Sequence, residues 1–394
     1  MLRQLLPVLL LLACACAASR RARTRPVPPP VEEVMGLLEA NHHAHPPRAQ
    51  LREAWQALSG EATVPALLAA TVDRATRLLS AAEAAALFSD VLSRDGTGLG
   101  LPELLAVDLD ERTGKLTVVT PLPDSPAARA QLRPGDALVQ IDAQDTRALS
   151  LSVADRLLRG PVGSSVVLTV QRGQEPPRSV QLLREASAPS PAVQLRVLEQ
   201  PEGLTGYLRL SHFPEQTAAE LALALQTLEQ RGVKRAVLDL RNNPGGSVDA
   251  AAGSAGLLAG PLLVAKLPGA PAGNETVTSQ DSARYLGALV VLVNEGTASA
   301  AEMLAGALQA KARAKLVGTR TYGKGLVHQP FPLSSGETLL VSVARAHTPT
   351  GRDILAEGLA PDLAAPTPER PWSLHTPPDA VPDAQLEAAL RLLP

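Results

Sequence analysis

Two short runs constrain what this chain can fold into. AVLDL (Ala236–Leu240) and ALVVLVN (Ala288–Asn294) are apolar almost without interruption. Each leads straight into a glycine- or serine-bearing helix start, RNNPGGSVDAAAGSAGLLAG in one case and EGTASAAEMLAGALQAKA in the other. A strand with one face in water alternates polar and apolar residues, whereas a continuous apolar strand is buried on both faces. With KLVG (Lys315–Gly318) after the second helix, the pattern predicts a largely parallel sheet joined by helices, an α/β core. Functional groups in such sheets collect where strand C-termini meet helix N-termini. The turns NNPGG (Asn242–Gly246) and NEGTAS (Asn294–Ser299) are both at such handovers. Aromatic residues are only 2% of the chain, so Leu, Val and Ala must fill its cores.

The remaining segments have different textures. At 394 residues the chain is long enough for two or three domains. Residues 1–18 read as a signal peptide or lipoprotein signal: Arg3, then an apolar run from Leu5 to Ala18 with small residues at its end. That run is shorter than the about 20 residues a bilayer-spanning helix needs. LLAC (Leu11–Cys14) resembles a lipoprotein cleavage site with Cys14 as the lipidated residue, and an uncleaved anchor is the alternative. Residues 19–30, ending in PVPPP, read as an extended linker. Residues 31–94 read as a small helical region, with Val34, Leu37 and Leu38, then Leu78, Leu79, Ala82 and Leu87, at helical spacing. Residues 95–185 change to short strands and turns, including KLTVVTPL, RPGD and SSVVLTVQR, and form a compact mainly-β module. An Ala/Ser/Pro-rich linker then leads into the α/β core, residues 186–394.

Composition excludes several classes of function. A net charge of -2 gives no electrostatic reason to bind nucleic acid. The only cysteines, Cys14 and Cys16, lie in the leader, which excludes a thiol nucleophile, a disulfide framework and a cysteine metal site from the folded part. GTGLGL lacks the strand–helix context of a nucleotide loop. HHAH (His42–His45) has Glu39 as its nearest carboxylate in sequence and reads as surface, so no metal site is expected.

The candidate chemistry centres on Ser299. Ser299-x-x-Glu302 has capping-box spacing, in which both side chains merely satisfy the first amides of the helix. The other reading is a nucleophile held at the strand-to-helix turn, with helix-start amides ready for an oxyanion. A serine hydroxyl needs a base. Lys324, in RTYGKGLVHQP, is a candidate because Ser–Lys pairs are a variant of triad logic. A free lysine has a pKa near 10.4, so neutralising one at pH 7 costs about 4.6 kcal/mol, which burial can supply. Tyr322, Leu326 and Val327 make an apolar setting, although an exposed turn lysine is the commoner case. The amide of Gly245 or Gly246, with that of Ala300, would complete an oxyanion hole if the two strands are neighbours.

Several ordered segments together are similar to a known family. LDLRNNPGGS, VLVNEGTASAAEMLAGAL, VGTRTYGKGLVHQPFPLSSGETLLVSVARAHTPTGRDI and GLAPD resemble the signature segments of carboxyl-terminal processing (tail-specific) serine proteases. YLRLSHF (Tyr207–Phe213) resembles the strand that opens their catalytic domain. GLGL, LTVVTPLPDSPAARAQLRPGDALVQIDAQDTRALSL and LLRGPVGSSVVLTVQRG resemble their inserted PDZ domain. The resemblance implies a Ser–Lys endopeptidase on a crotonase-like α/β core that needs no cofactor. It makes Ser299 the nucleophile, Lys324 the general base, and Gly245 and Ala300 the oxyanion-hole amides. Arg209 and Glu302 become supporting residues. Gly98, Leu99, Gly100 and Leu101 become the loop that captures a substrate C-terminus as the tail adds to a sheet edge.

The implied partners are proteins with apolar C-terminal tails, met after export to a periplasm or thylakoid lumen, with a lipid anchor or peripheral membrane contact left open. The PDZ stretch is closest in texture to the photosynthetic branch, which trims a photosystem II reaction-centre precursor. General envelope-protein processing is the other substrate reading. One departure stands out: the family usually has glutamine four residues after the lysine, where this chain has His328. A neutral imidazole can accept a hydrogen bond from the amine, and a protonated one cannot. Activity is therefore expected to decline below about pH 6.5, the ordinary histidine value. A second departure is DRATRLLSAAEAAALF, which stands where family members carry a DPYSRYLSPEEF-like segment. Two competing readings are a non-catalytic PDZ scaffold that binds tails, and a Ser–His hydrolase using His328 or His347.

Overall fold

The computed structural model describes residues 27–60, 62–73, 75–85, 105–110, 115–121, 125–149, 151–185, 191–270, 273–368 and 382–394. The leader and Gly98–Leu101 lie outside the described residues.

Three helices open the described chain: α1 (Pro29–Asn41), α2 (Arg48–Ala57) and α3 (Val64–Thr71). The next element departs from the sequence expectation. Leu78 and Leu79 belong to a strand, β1 (Arg77–Leu79), not to a helix. Pairing with a core strand overrides local spacing here, because β1 lies antiparallel to β16 (Thr338–Arg345).

The mainly-β module comprises β2 (Leu105–Asp110), β3 (Lys115–Pro121), α4 (Pro126–Arg129), β4 (Ala137–Ile141), β5 (Gln144–Asp145), α5 (Leu151–Leu158), β6 (Ser165–Gln171) and β7 (Arg178–Leu183). Its strands run in the order β2-β3-β4-β6-β7, with β5 paired to β4. It has its own apolar cluster, including Leu116, Val118, Leu138, Ile141, Val166 and Leu168.

The core follows as β8 (Val193–Gln200), β9 (Gly203–Leu210), α6 (Thr217–Gln230), β10 (Arg235–Asp239), α7 (Val248–Ala259), β11 (Leu262–Ala270), β12 (Gly273–Ser279), β13 (Ala288–Val293), α8 (Ala300–Ala310), β14 (Lys315–Gly318), β15 (Leu326–Pro332), β16, α9 (Ile354–Glu357), β17 (Leu363–Ala364) and α10 (Ala384–Leu392). Its main sheet has the order β17-β14-β13-β10-β9-β8. The pairs from β9 through β17 are parallel, and β8 joins antiparallel. Both faces are covered, as the continuous apolar strands require. Leu208, Leu238, Val291 and Leu316 face the cluster holding α6, α7 and α8. Tyr207, Val237, Leu292 and Val317 face the other way, onto Leu386 and Ala389 of α10. Beside this sheet, β15 and β16 form an antiparallel pair that carries the segment after Lys324.

Candidate active site

Three turns converge at the C-terminal edge of the parallel sheet. The first follows β13 and ends at Ser299, the residue before α8. Its backbone has φ 56° and ψ -124°, far from the extended conformation of an ordinary helix cap. A non-glycine residue held there stores about 1–3 kcal/mol of strain. Ser299 and Glu302 form a capping box in which Glu302 Oε2 accepts the Ser299 amide at 2.9 Å, while the Glu302 amide donates to the Ser299 carbonyl at 2.8 Å. A cap residue is ordinarily extended and needs no positive φ, so capping alone does not account for the bend at Ser299.

Glu302 is fully buried and does more than finish the helix. Its Oε2 accepts from the backbone amides of Ser299 and Lys324, each at 2.9 Å. Its Oε1 accepts from the Gly323 amide at 2.9 Å and from the Thr321 hydroxyl at 2.5 Å. One carboxylate thus joins the serine turn to the lysine loop. Burial raises the Glu302 pKa, and the four donors from Thr321, Gly323, Lys324 and Ser299 oppose that rise, leaving it at about 7.

The second turn is the lysine loop before β15. The Tyr322 amide donates to the Thr297 carbonyl at 2.9 Å, adding a second tie to the serine turn. Gly325 packs directly on the backbone of Leu355, where any Cβ would overlap it. Lys324 is half-buried, between the buried residues Gly323 and Gly325. The mainly-β module reaches both turns. Thr117 Oγ1 and Tyr322 Oη are 2.7 Å apart, and Pro134 packs over Gly296.

The third turn, Arg241–Gly246, follows β10. Asn242 and Asn294 bond reciprocally at 2.8 Å, Asn242 N–H to Asn294 Oδ1 and Asn294 Nδ2 to Asn242 Oδ1. The Ala298 amide donates to the Asn243 carbonyl, also at 2.8 Å. These ties bring Gly245 against Ser299: a Cβ on Gly245 would sit 2.7 Å from Ser299 Cβ and 3.0 Å from the Ala300 nitrogen. Its φ of 99° is a second reason for glycine there. The Gly245 amide donates to Asn243 Oδ1 at 2.9 Å, so an oxyanion would have to share or replace that bond. Ala300 opens α8, where an amide has no acceptor within its own helix.

Other sequence candidates sit elsewhere. Arg209 is fully buried on the Tyr207 face of the sheet, its Nη1 donating to Asp239 Oδ1 at 2.9 Å. Asp239 also takes the Tyr207 hydroxyl at 2.5 Å and the Arg241 guanidinium at 2.7 Å. Burial disfavours the charge on Asp239, but Arg241 and Arg209 outweigh it and hold the carboxyl well below its usual range. Arg209 is thus joined to the third turn through Asp239 and Arg241. Sequence reading missed these two; the available signal was charge at alternate positions of an otherwise apolar strand. His328 is half-buried and Gln329 exposed, as strand alternation requires. A register irregularity beside it pairs His328 with Ser342.

The HHAH reading needs correction. His42 is 2% exposed, and its carboxylate is Asp73, not Glu39. The Ala44 amide donates to His42 Nδ1 at 3.1 Å, so Nε2 carries the proton that goes to Asp73 Oδ2 at 2.6 Å. His42, His43 and Asp73 are close enough to hold a metal ion. With both His42 nitrogens engaged, the geometry fits a hydrogen-bonded strut better than a ligand set. Asp73 Oδ1 also accepts from the Ser342 hydroxyl at 2.9 Å, which ties the helical region to β16.

Comparison with known proteins gives this geometry a class. Residues 204–365 match peptidase family S41, and residues 117–172 match the PDZ domain. The carboxyl-terminal-processing protease of Synechocystis sp. is 39% identical over 290 residues, spanning 73% of this chain and 67% of that protein. Carboxyl-terminal-processing peptidase 1, chloroplastic, of Arabidopsis thaliana is 33% identical over 301 residues, spanning 75% and 60%. The solved photosystem II D1 C-terminal processing protease matches with a TM-score of 0.76 at 29% identity, covering 92% of this chain and 96% of that one. The fold and these likenesses define a serine-type peptidase with a PDZ domain. The chain belongs to peptidase family S41, among the carboxyl-terminal processing proteases, endopeptidases that cut proteins near their C-termini.

Proposed function

We propose that acyl transfer runs through Ser299 and Lys324. Ser299 Oγ attacks the scissile carbonyl while the Lys324 amine takes its proton, and the amides of Ala300 and Gly245 stabilise the oxyanion. The C–N bond then breaks, Lys324 returns the proton to the leaving amine, and water attacks the acyl ester with Lys324 again as base. The observation that carries this reading is the Glu302 carboxylate, bonded to the amides of both Ser299 and Lys324. Arg209 supports the site indirectly, through the ion cluster beneath the third turn. In the described residues no helix is long and apolar enough to cross a membrane. The leader supports export to a periplasm or lumen, with Cys14 as a lipidation site. Substrates are proteins with apolar tails caught at Gly98–Leu101; a photosystem II precursor is one such substrate, by likeness to the D1 processing protease.

The test uses two substrates that differ only in their last residues, one pair apolar and the other acidic. The apolar tail is expected to be cut at least tenfold more efficiently, with one new C-terminus identified by mass spectrometry. Equal cleavage of both tails would refute the specificity reading.

His328 adds a pH dependence. Activity is expected to fall with acid for two reasons, protonation of Glu302 near 7 and of the imidazole beside the lysine loop. His328→Gln removes only the second, so its kcat/KM profile should decline less steeply and still bend near pH 7. Superimposable acid limbs for the two proteins would eliminate the histidine contribution.

A further inference from the structure

The face of the sheet opposite α8 holds a buried charge cluster whose last member comes from α10. Arg241 begins the third turn and is 4% exposed. Its Nε and Nη2 donate to Asp239, which Arg209 also uses. Asp239 is thus shared between two arginines, and a buried cation is costly unless it is well paired. Arg241 Nη1 turns instead to α10, donating to Asp383 Oδ2 at 2.7 Å and to Gln385 Oε1 at 3.2 Å. Gln385 is fully buried and holds its place by donating Nε2 to the Ala365 carbonyl at 3.0 Å. Asp383 is itself anchored, its Oδ1 accepting the amides of Gln385 and Leu386 at 3.0 Å as the cap of α10.

We propose that Asp383 is a positioning residue for catalysis: through Arg241 it sets where the Gly245 amide stands relative to Ser299. Only three residues separate Arg241 from Gly245, and Gly245 already packs against Ser299 with no space for a methyl group. A shift of the turn would therefore move an oxyanion donor relative to the serine. The inference rests on the acyl-transfer reading of Ser299.

Asp383→Asn isolates the charge, because asparagine caps helices as well as aspartate does. Its amide would set a donor against the Arg241 donors. The expected result is a kcat at least tenfold lower with KM within twofold. A peptide boronate, which mimics the tetrahedral state, should bind more weakly by the same factor as kcat/KM falls. Asp383→Asn combined with Gln385→Glu returns a carboxylate to Arg241 from the same helix, at the cost of the bond to the Ala365 carbonyl, and should recover part of the lost kcat. A folded Asp383→Asn with kcat within twofold of wild type would overturn the proposal. So would a loss that the double variant, once folded, fails to recover. Should neither variant fold, α10 serves the fold alone and the proposal likewise falls. A wild-type protein that cuts nothing would instead remove the acyl-transfer reading itself.

Discussion

Lys324→Ala and Ser299→Ala are each expected to lower kcat/KM on a tailed substrate by about 10⁴-fold or more, with the double variant hardly worse. The two groups act in one step: without the lysine the hydroxyl has no base, and without the hydroxyl the base has nothing to activate. The losses should therefore not add. Neither change removes these backbone ties between the turns, since Glu302 holds the amides, not the side chains, of Ser299 and Lys324. Circular dichroism and Tm should stay near wild type, within about 1 kcal/mol. An enzyme that survived Lys324→Ala would be using a histidine instead.

Glu302→Gln is expected to produce the next largest effect, a kcat lower by about 10²–10³-fold. Four donors converge on this carboxylate, and glutamine would turn an NH₂ group towards two of them. The lysine loop would then lose its registration with the serine turn. Stability should respond in the opposite sense to activity. The folded-state value of about 7 lies above the ordinary 4.5, so the stabilisation from this group is fully present below pH 4.5 and is lost as pH rises through 7. That corresponds to about 3 kcal/mol, while catalysis needs the ionised acceptor and gains over the same window. In Glu302→Gln the stability profile should flatten between pH 4.5 and 7. A variant whose stability still fell across that range would place the titration on another group.

The architecture was legible because its strongest signals are local. Continuous apolar strands such as Ala288–Val293 admit few environments, and the parallel sheet follows from burying both faces. The turns after β10 and β13 could be singled out for the same reason. Leu78 and Leu79 could not be read correctly, since their pairing partner is more than 250 residues away. The strut formed by His42, Asp73 and Ser342 is equally non-local. At the site, Ser299-x-x-Glu302 left cap and nucleophile open. What separates them is backbone strain at Ser299 and the reach of Glu302 to Lys324, neither of which spacing encodes. Arg209 was singled out by position in a motif; Asp239 and Arg241 left a signal in their alternating charges, but their link to Asp383 emerges only once the sheet and α10 are packed together.

The most direct measurement is intact-protein mass spectrometry on enzyme acid-quenched during turnover, followed by peptide mapping. The account predicts an adduct equal in mass to the N-terminal cleavage product less one water, attached to Ser299. It should be absent from Ser299→Ala and scarcely formed by Lys324→Ala. An adduct on any other residue, or full turnover by Ser299→Ala, would contradict the account.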